Sequence, residues 1–261
     1  MSILYRYKKL GEEGFKKLVC KLERTLPRKR FSIIESLWLE DPVYTQYLEP
    51  NFLTLDEIFA RDGENLKELK DEAPGARDIL FFAFFASKFE DKFLNIFPSE
   101  WRNNEYEDLR YAYKETPIPI HRRNQAFIDL FENFRKLQET YIIPTSEWKL
   151  PPQTVMNGKH LIYPSNGQFK LEYEPGVTAL EGEIQGKLRS GKWYHYYPNG
   201  RLIAKGIYHL GEKEDHWMLF DIDGNLRSQG NYLEGNKDGR WEMKDGDGIE
   251  HFEEYVKGKV A

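Results

Sequence analysis

"GKWYHYYPNGRLIAKG", residues 191–206, alternates bulky and small side chains on either side of an Asn-Gly pair. Period-two alternation puts Trp193, His195 and Tyr197 on one face of a strand, and Leu202, Ala204 and Gly206 on one face of its return. Asn199-Gly200 between them predicts a two-residue turn with both φ angles positive, and Asp223-Gly224 repeats that chemistry further on. A lone hairpin is marginal in water, so a stretch of this kind predicts a tandem array.

The neighbouring sequence supplies one. "GEIQGKLRSGKW" (182–193), "GIYHLGEKEDHW" (206–217) and "GNYLEGNKDGRW" (230–241) align at a period of 24 residues. Trp193, Trp217 and Trp241 share one column and Gly182, Gly206 and Gly230 another, while Gly176, Gly200, Gly224 and Gly248 keep the same period. Gly211 and Gly235 align with Lys187, the first row placing its glycine one position early at Gly186. Gly206 and Gly230 leave bare backbone for a tryptophan to cross, and Gly211, Gly235 and Gly239 let the linking turns reverse. The last unit is shortened, Tyr255 and Gly258 following Tyr232 and Gly235 by 23 residues, as a terminal cap does. This pattern, "NG.L...G.Y..G...DG.W" over about residues 157–258, resembles the MORN-variant repeats of the YwqK-type family of proposed antitoxins. The resemblance implies an antiparallel β-meander acting as a stacked interaction surface.

Upstream the period changes. Glu12 to Arg24 and Phe31 to Glu40 space apolar residues at 3.6, and Thr54 with Glu57 in "TLDE" forms a capping-box pattern. Asp62 is placed to cap the following helix and Pro74-Gly75 to close it; further helices cover "ARDILFFAFFAS", "FEDKFLNIF", "SEWRNNEYEDLRYAYKE" and His121 to Thr140. The phenylalanines of "FFAFFA" (Phe81, Phe82, Phe84, Phe85) cover a wide helix face, which is either wholly buried or in part a docking surface. Pro144, Pro151 and Pro152 predict a short stiff linker. The expected architecture is α+β in two domains: an all-α helical stack over 1–143, a linker over 144–156, and β-hairpin repeats over 157–261.

The run "EDPVYTQYLEPNFLTLDEIFARDGENLKEL…EYEDL…TPIPI…FRKLQET" resembles the middle and C-terminal parts of the bacterial flagellar motor-switch protein FliG. Its matching elements are "EDP" at Glu40 to Pro42, "FLTL" at Phe52 to Leu55, the pair Glu107-Asp108, "TPIPI" at Thr116 to Ile120 and "RKLQET" at Arg135 to Thr140. The resemblance implies a rotor-type module whose contact helix carries Glu107 and Asp108, with Glu100 and Arg102 close in sequence. The family's basic positions fall at Ala83, Glu100 and Pro119, which weakens or re-targets a charge-steered contact.

Composition bounds the function. The chain has 261 residues, 31% charged and 15% aromatic, with mean hydropathy −0.71. Its net charge of −5 divides as −2 over 1–150 and −3 over 151–261, which fits neither a polyanion binder nor an anionic lipid surface. Residues 1–30 depart from this with 10 basic and 3 acidic side chains, read as a solvated helix end because no aromatic platform is interleaved. The N-terminus has no apolar h-region and the longest apolar run, "ILFFAFFA", has 8 residues, so a cytoplasmic location is expected. The single cysteine, Cys20, is expected as a buried small hydrophobe. No HExxH, G-x-S-x-G, Walker or G-x-G-x-x-G sequence occurs, and "DIDGN" and "DGDG" read as turns rather than calcium loops. His195 and His216, beside the tryptophan columns, read as packing residues.

The expectation is therefore a non-enzymatic scaffold with no cofactor, metal or nucleic acid, associated with the flagellar motor at its cytoplasmic face. Its partners would be rotor, stator or accessory proteins, contacted through Glu100, Arg102, Glu107 and Asp108 and through Trp193, Tyr194, Tyr196, Trp217 and Trp241. The competing reading is a toxin-neutralising or other regulatory protein acting through the repeats.

Overall fold

The computed structural model describes residues 3–60, 63–73, 75–114, 117–244 and 249–261. The fold is α+β, helical in its N-terminal part and with an antiparallel sheet in its C-terminal part. It divides into two compact units, Met1–Ile33 with Leu48–Leu150, and Ile34–Tyr47 with Pro151–Ala261. The division falls inside a helix, so the expected 1–143 helical domain gives up residues 34–47 to the sheet unit. The reason is an apolar stripe: Ile34, Trp38 and Leu39 pack with the tryptophan face of the sheet. The expected linker is not a free spacer either. Asn51 donates to the Lys149 carbonyl at 3.0 Å and accepts from its N–H at 2.8 Å, strapping that stretch onto the first unit.

The helices of the first unit are α1 (Ile3–Lys8), α2 (Gly11–Glu23), the start of α3 (Pro27–Glu40), α5 (Leu55–Ile58), α6 (Glu64–Glu72), α7 (Ala76–Phe84), α8 (Glu90–Leu94), α9 (Ser99–Trp101), α10 (Glu107–Ala112) and α11 (Ile120–Glu139). The capping box at α5 forms as expected, Thr54 accepting from Glu57 N–H while Glu57 accepts from Thr54 N–H. Asp62 and Pro74 lie outside the described residues. Phe81, Phe84 and Phe85 are buried and Phe82 is half-buried, packed with Phe93, Trp101, Tyr106 and Phe134, so the "FFAFFA" face is core. Beside this core lies a buried ion pair that the sequence did not announce. Arg135 donates to Glu23 at 2.8 Å and to the Asn51 carbonyl at 2.7 Å, and Glu23 accepts from Leu53 N–H at 2.7 Å. Such a pair is tolerated inside a fold because each charge is also hydrogen-bonded.

In the second unit Asp41 caps the short α4 (Pro42–Thr45) by accepting from Tyr44 N–H at 3.1 Å, which is why α3 stops at "EDP". The same carboxylate meets His160 Nε2 at 2.9 Å, and α12 (Gln153–Met156) precedes the sheet. Nine strands follow in sequential antiparallel order: β1 (Asn166–Glu174), β2 (Val177–Gln185), β3 (Leu188–Tyr196), β4 (Leu202–His209), β5 (Glu212–Phe220), β6 (Leu226–Leu233), β7 (Asn236–Lys244), β8 (Glu250–Val256) and β9 (Lys259–Val260).

The 24-residue period has one physical cause. At every second strand pair the ladder bulges around a glycine: Gly182 lies opposite the stretch from Gly191 to Trp193, Gly206 opposite Asp215 to Trp217, and Gly230 opposite Gly239 to Trp241. The tryptophan folds back across the bare glycine, where a Cβ would clash with its ring. Its indole N–H then donates to the carbonyl after that glycine: Trp193 to Glu183 at 3.2 Å, Trp217 to Ile207 at 3.1 Å and Trp241 to Asn231 at 3.0 Å. Tyrosines fill the gaps edge-on, Tyr208 against Trp217 and Tyr232 against Trp241, each at 5.1 Å between centroids. Tyr255 covers the far side of Trp241 at 6.4 Å, as Tyr208 does for Trp193 at 5.8 Å and Tyr232 for Trp217 at 5.9 Å.

Two kinds of turn alternate. Gly186-Lys187, Leu210-Gly211, Glu234-Gly235 and Lys257-Gly258 all have both φ positive, which resolves the displaced glycine of the first row: either position of this turn profits from Gly. At the other end the expectation for Asn199-Gly200 and Asp223-Gly224 is corrected. Only the glycines have positive φ, at 80° and 88°, and Tyr197 and Asp221 donate to the carbonyls of Arg201 and Asn225 across three-residue loops. Pro198 explains the first case, since its ring holds φ near −65° and favours a type I turn closed by a left-handed glycine. Gly248 and "DGDG" lie outside the described residues.

Candidate interaction surfaces

The sheet has two unlike faces. On one, Leu180, His195, Ala204, Leu219 and Ser228 are buried along a single cross-strand row. Trp193, Trp217 and Trp241, expected as partner-contacting aromatics, are fully buried on this same face, so they hold the fold and offer nothing to a partner. His195 lies between Trp193 and Trp217, with centroids at 6.4 and 6.2 Å, the packing role read from the sequence. Burial pushes its pKa well below the ordinary histidine range, with the Arg189 and Lys213 charges adding to the effect, so it is neutral.

A second period-24 column, missed in the sequence although visible in the aligned rows, is Arg189, Lys213 and Lys237. Each stands over the aromatics of its own repeat. Arg189 lies 4.8 Å from the Trp193 centroid, Lys213 5.6 Å from Trp217, and Lys237 4.2 Å from Trp241. Arg189 also makes hydrogen bonds beyond its repeat. It donates to the Leu39 and Glu40 carbonyls at 3.0 and 3.1 Å, capping the end of α3, and to the hydroxyls of Tyr163 and Tyr208 at 2.7 and 2.9 Å. Burial lowers the Lys213 pKa to about 8 against the opposing pull of Glu35, whose own carboxyl is raised by burial.

The opposite face is the candidate site. Pairing register links Lys170, Glu181, Tyr194, Lys205, Met218, Gln229, Glu242 and Phe252 into one unbroken row across β1 to β8. Every member is half-buried or exposed. The row is knit by side chains: Tyr196 donates to Glu181 at 2.9 Å, Gln229 to Glu242 at 2.7 Å, and Arg240 covers Phe252 at 3.7 Å from its centroid. Burial, reinforced by Glu181, raises the Tyr196 hydroxyl to about 12, so it remains a donor. Where the sheet bulges at Gly182 it forms a trough of about 650 Å³ between Lys170, Glu181, Lys192 and Tyr194, and at Gly206 a second of about 280 Å³ between Tyr194, Lys205, His216 and Met218. Tyr194 and Tyr196 are thus the sequence-selected aromatics that do face outward.

In the helical unit, Glu107 and Asp108 are exposed on α10, with Glu100 exposed on α9 and Arg102 half-buried in the π-helical turn Arg102–Tyr106 between them. Glu107 pairs with Arg110 at 3.2 Å and lines a trough of about 680 Å³ with Tyr111 and Arg123. Asp108 makes no ion pair among the described residues. Cys20, expected buried, is only partly so, and burial raises its thiol pKa.

Among the described residues no cluster of three or more His, Cys, Asp or Glu side chains could hold a metal ion, and no helix is long and apolar enough to cross a membrane. No family model matches this chain, and no curated protein matches it.

Proposed function

We propose that this protein is a non-enzymatic adaptor of the bacterial flagellar motor, pairing a FliG-like helical module with a MORN-variant sheet that docks a second protein. The observation that carries the docking role is the continuous outward row from Lys170 to Phe252, a firm surface that mixes both charges with Tyr194, Met218 and Phe252. Surfaces that combine aromatic anchors with charges of both signs favour protein partners over lipid or nucleic acid. The motor assignment rests on the FliG resemblance and on Glu107 and Asp108 being presented on an exposed helix.

The test is co-purification of the tagged chain from a flagellated host, beside the double variant Tyr194→Glu/Lys205→Glu. Recovery of a rotor, stator or accessory motor protein that is lost in the double variant supports the reading. Recovery of no motor protein counts against the motor, and partner capture indifferent to both substitutions counts against the sheet face.

A further inference from the structure

The basic N-terminal stretch acquires an aromatic wall in three dimensions that it lacks in sequence. α2 packs along α11, and the segment after α11 folds back beside them, leaving an open groove of about 880 Å³. Five cations line it against two carboxylates, Glu13 and Glu139, on a chain whose net charge is −5. Trp148 forms one wall, with Lys16 and Arg135 at 5.6 and 4.7 Å from its rings. Tyr141 stands at the rim, 86% exposed, on a backbone with φ of 59°. A non-glycine residue costs about 1–2 kcal/mol in that conformation.

The cations are not equally committed. Arg135 is bound to buried Glu23, Lys16 pairs with Glu12 at 2.7 Å, and Lys17 pairs with Glu13 at 2.5 Å. Arg24 reaches Glu132 only at 3.7 Å, and Lys21, exposed and 5.8 Å from the Tyr7 ring, makes no ion pair among the described residues. Lys21 and Arg24 lie three residues apart on one side of the groove, a spacing that puts neighbours on one helix face.

We propose that this groove docks an acidic, extended protein segment, its carboxylates on Lys21 and Arg24 and an apolar side chain against the exposed ring of Tyr141. Charge complementarity selects an anionic partner. Among polyanions, single-stranded nucleic acid binds by stacking bases on open ring faces. Here the Trp148 ring is already engaged by Lys16 and Arg135, which leaves Tyr141 as a single ring where a strand of bases needs successive platforms. The groove lies wholly within the helical unit, so this inference stands apart from the reading of the sheet.

The test is fluorescence anisotropy on the full chain with three labelled probes: a Glu/Asp-rich dodecapeptide with one central Phe, its Gln/Asn counterpart, and an oligo-dT dodecamer. The acidic peptide binds best, weakens with salt, and loses about tenfold in affinity, about 1.4 kcal/mol, in Lys21→Glu/Arg24→Glu. Lys67→Glu, exposed on α6 outside the groove, leaves its affinity unchanged. Far-UV circular dichroism confirms that each variant is folded. Equal binding of the neutral peptide, tighter binding of oligo-dT, or indifference to the double reversal overturns the proposal.

Discussion

Replacing Gly230 by alanine tests the packing rule on which the sheet is built. A Cβ there would lie 2.5 Å from Trp241 Cδ2 and 2.6 Å from Cε2 and Cγ. Carbon atoms are content at about 3.5–4.0 Å, so the ring must retreat by about 1 Å. It has nowhere to go: Trp241 is fully buried, edge-on to Tyr232, under Lys237, and tied through its N–H to the Asn231 carbonyl. Overpacking costs about 1–3 kcal/mol and loosening the hydrogen bond about 1 kcal/mol, so the loss is about 2–4 kcal/mol. Gly230 does not have positive φ, so the whole effect is steric. Urea-dependent hydrogen exchange of the β6 and β7 amides measures it without assuming that the two units unfold together. The decisive comparison is a double-mutant cycle with Trp241→Leu. With the indole gone, the alanine costs less than about 1 kcal/mol, a coupling of the size neighbours in contact show. If alanine costs the same in both backgrounds, the tryptophan-on-glycine account is wrong.

Asp215 (φ 57°) occupies the left-handed position that Gly191 and Gly239 fill one repeat away on either side. Asp215→Gly therefore raises the stability of the sheet unit by about 0.5–1 kcal/mol, read as a shifted urea midpoint. Arg189→Lys keeps the charge but cannot reach two helix carbonyls and two hydroxyls at once; it costs about 2–4 kcal/mol and speeds exchange at the end of α3. Lys213 has its folded pKa depressed to about 8, so below that pH both states bind the proton and burial of the charge is unfavourable. Between about 8 and the unfolded value near 10.4 only the unfolded lysine binds a proton, and this residue's share of stability rises with pH. Lys213→Met is accordingly more stable than the parent at pH 7, and the gap closes as pH approaches 10; a gap that widens with pH would contradict the sign.

The repeat was legible because its cause is local. A tryptophan needs a glycine to lie on, and both recur at the spacing that brings every second strand back to the same place, so Trp193, Trp217 and Trp241 announce themselves. The exposure of these tryptophans was misread, because periodicity tells which residues share a face and not which face is covered. What covers it, Ile34, Trp38 and Leu39, sits more than a hundred residues upstream inside an ordinary helical pattern. The turn at Asn199 was misread because Pro198 outweighs the Asn-Gly signal. Glu23 and Arg135 look like two surface charges until the chain folds them together, since no local rule joins residues 112 positions apart. On the open face, Tyr194 and Tyr196 could be found from alternation, but the row from Lys170 to Phe252 depends on strand register, which bulges at the glycines shift by amounts that sequence does not display.

Arg189 hydrogen-bonds the end of α3, while Lys213 and Lys237 hold to the same helix through the charge of Glu35. The column is therefore held to α3 by directed hydrogen bonds at one end and by an ionic attraction beyond it. Excising or duplicating a complete 24-residue unit downstream of Arg189 would shorten or lengthen the exposed row in increments of two strands, roughly 10 Å, with the anchor undisturbed. A change of repeat number thus alters the reach of the outer face like links in a watch strap, and its only toll on α3 is the partner lysine that Glu35 gains or loses.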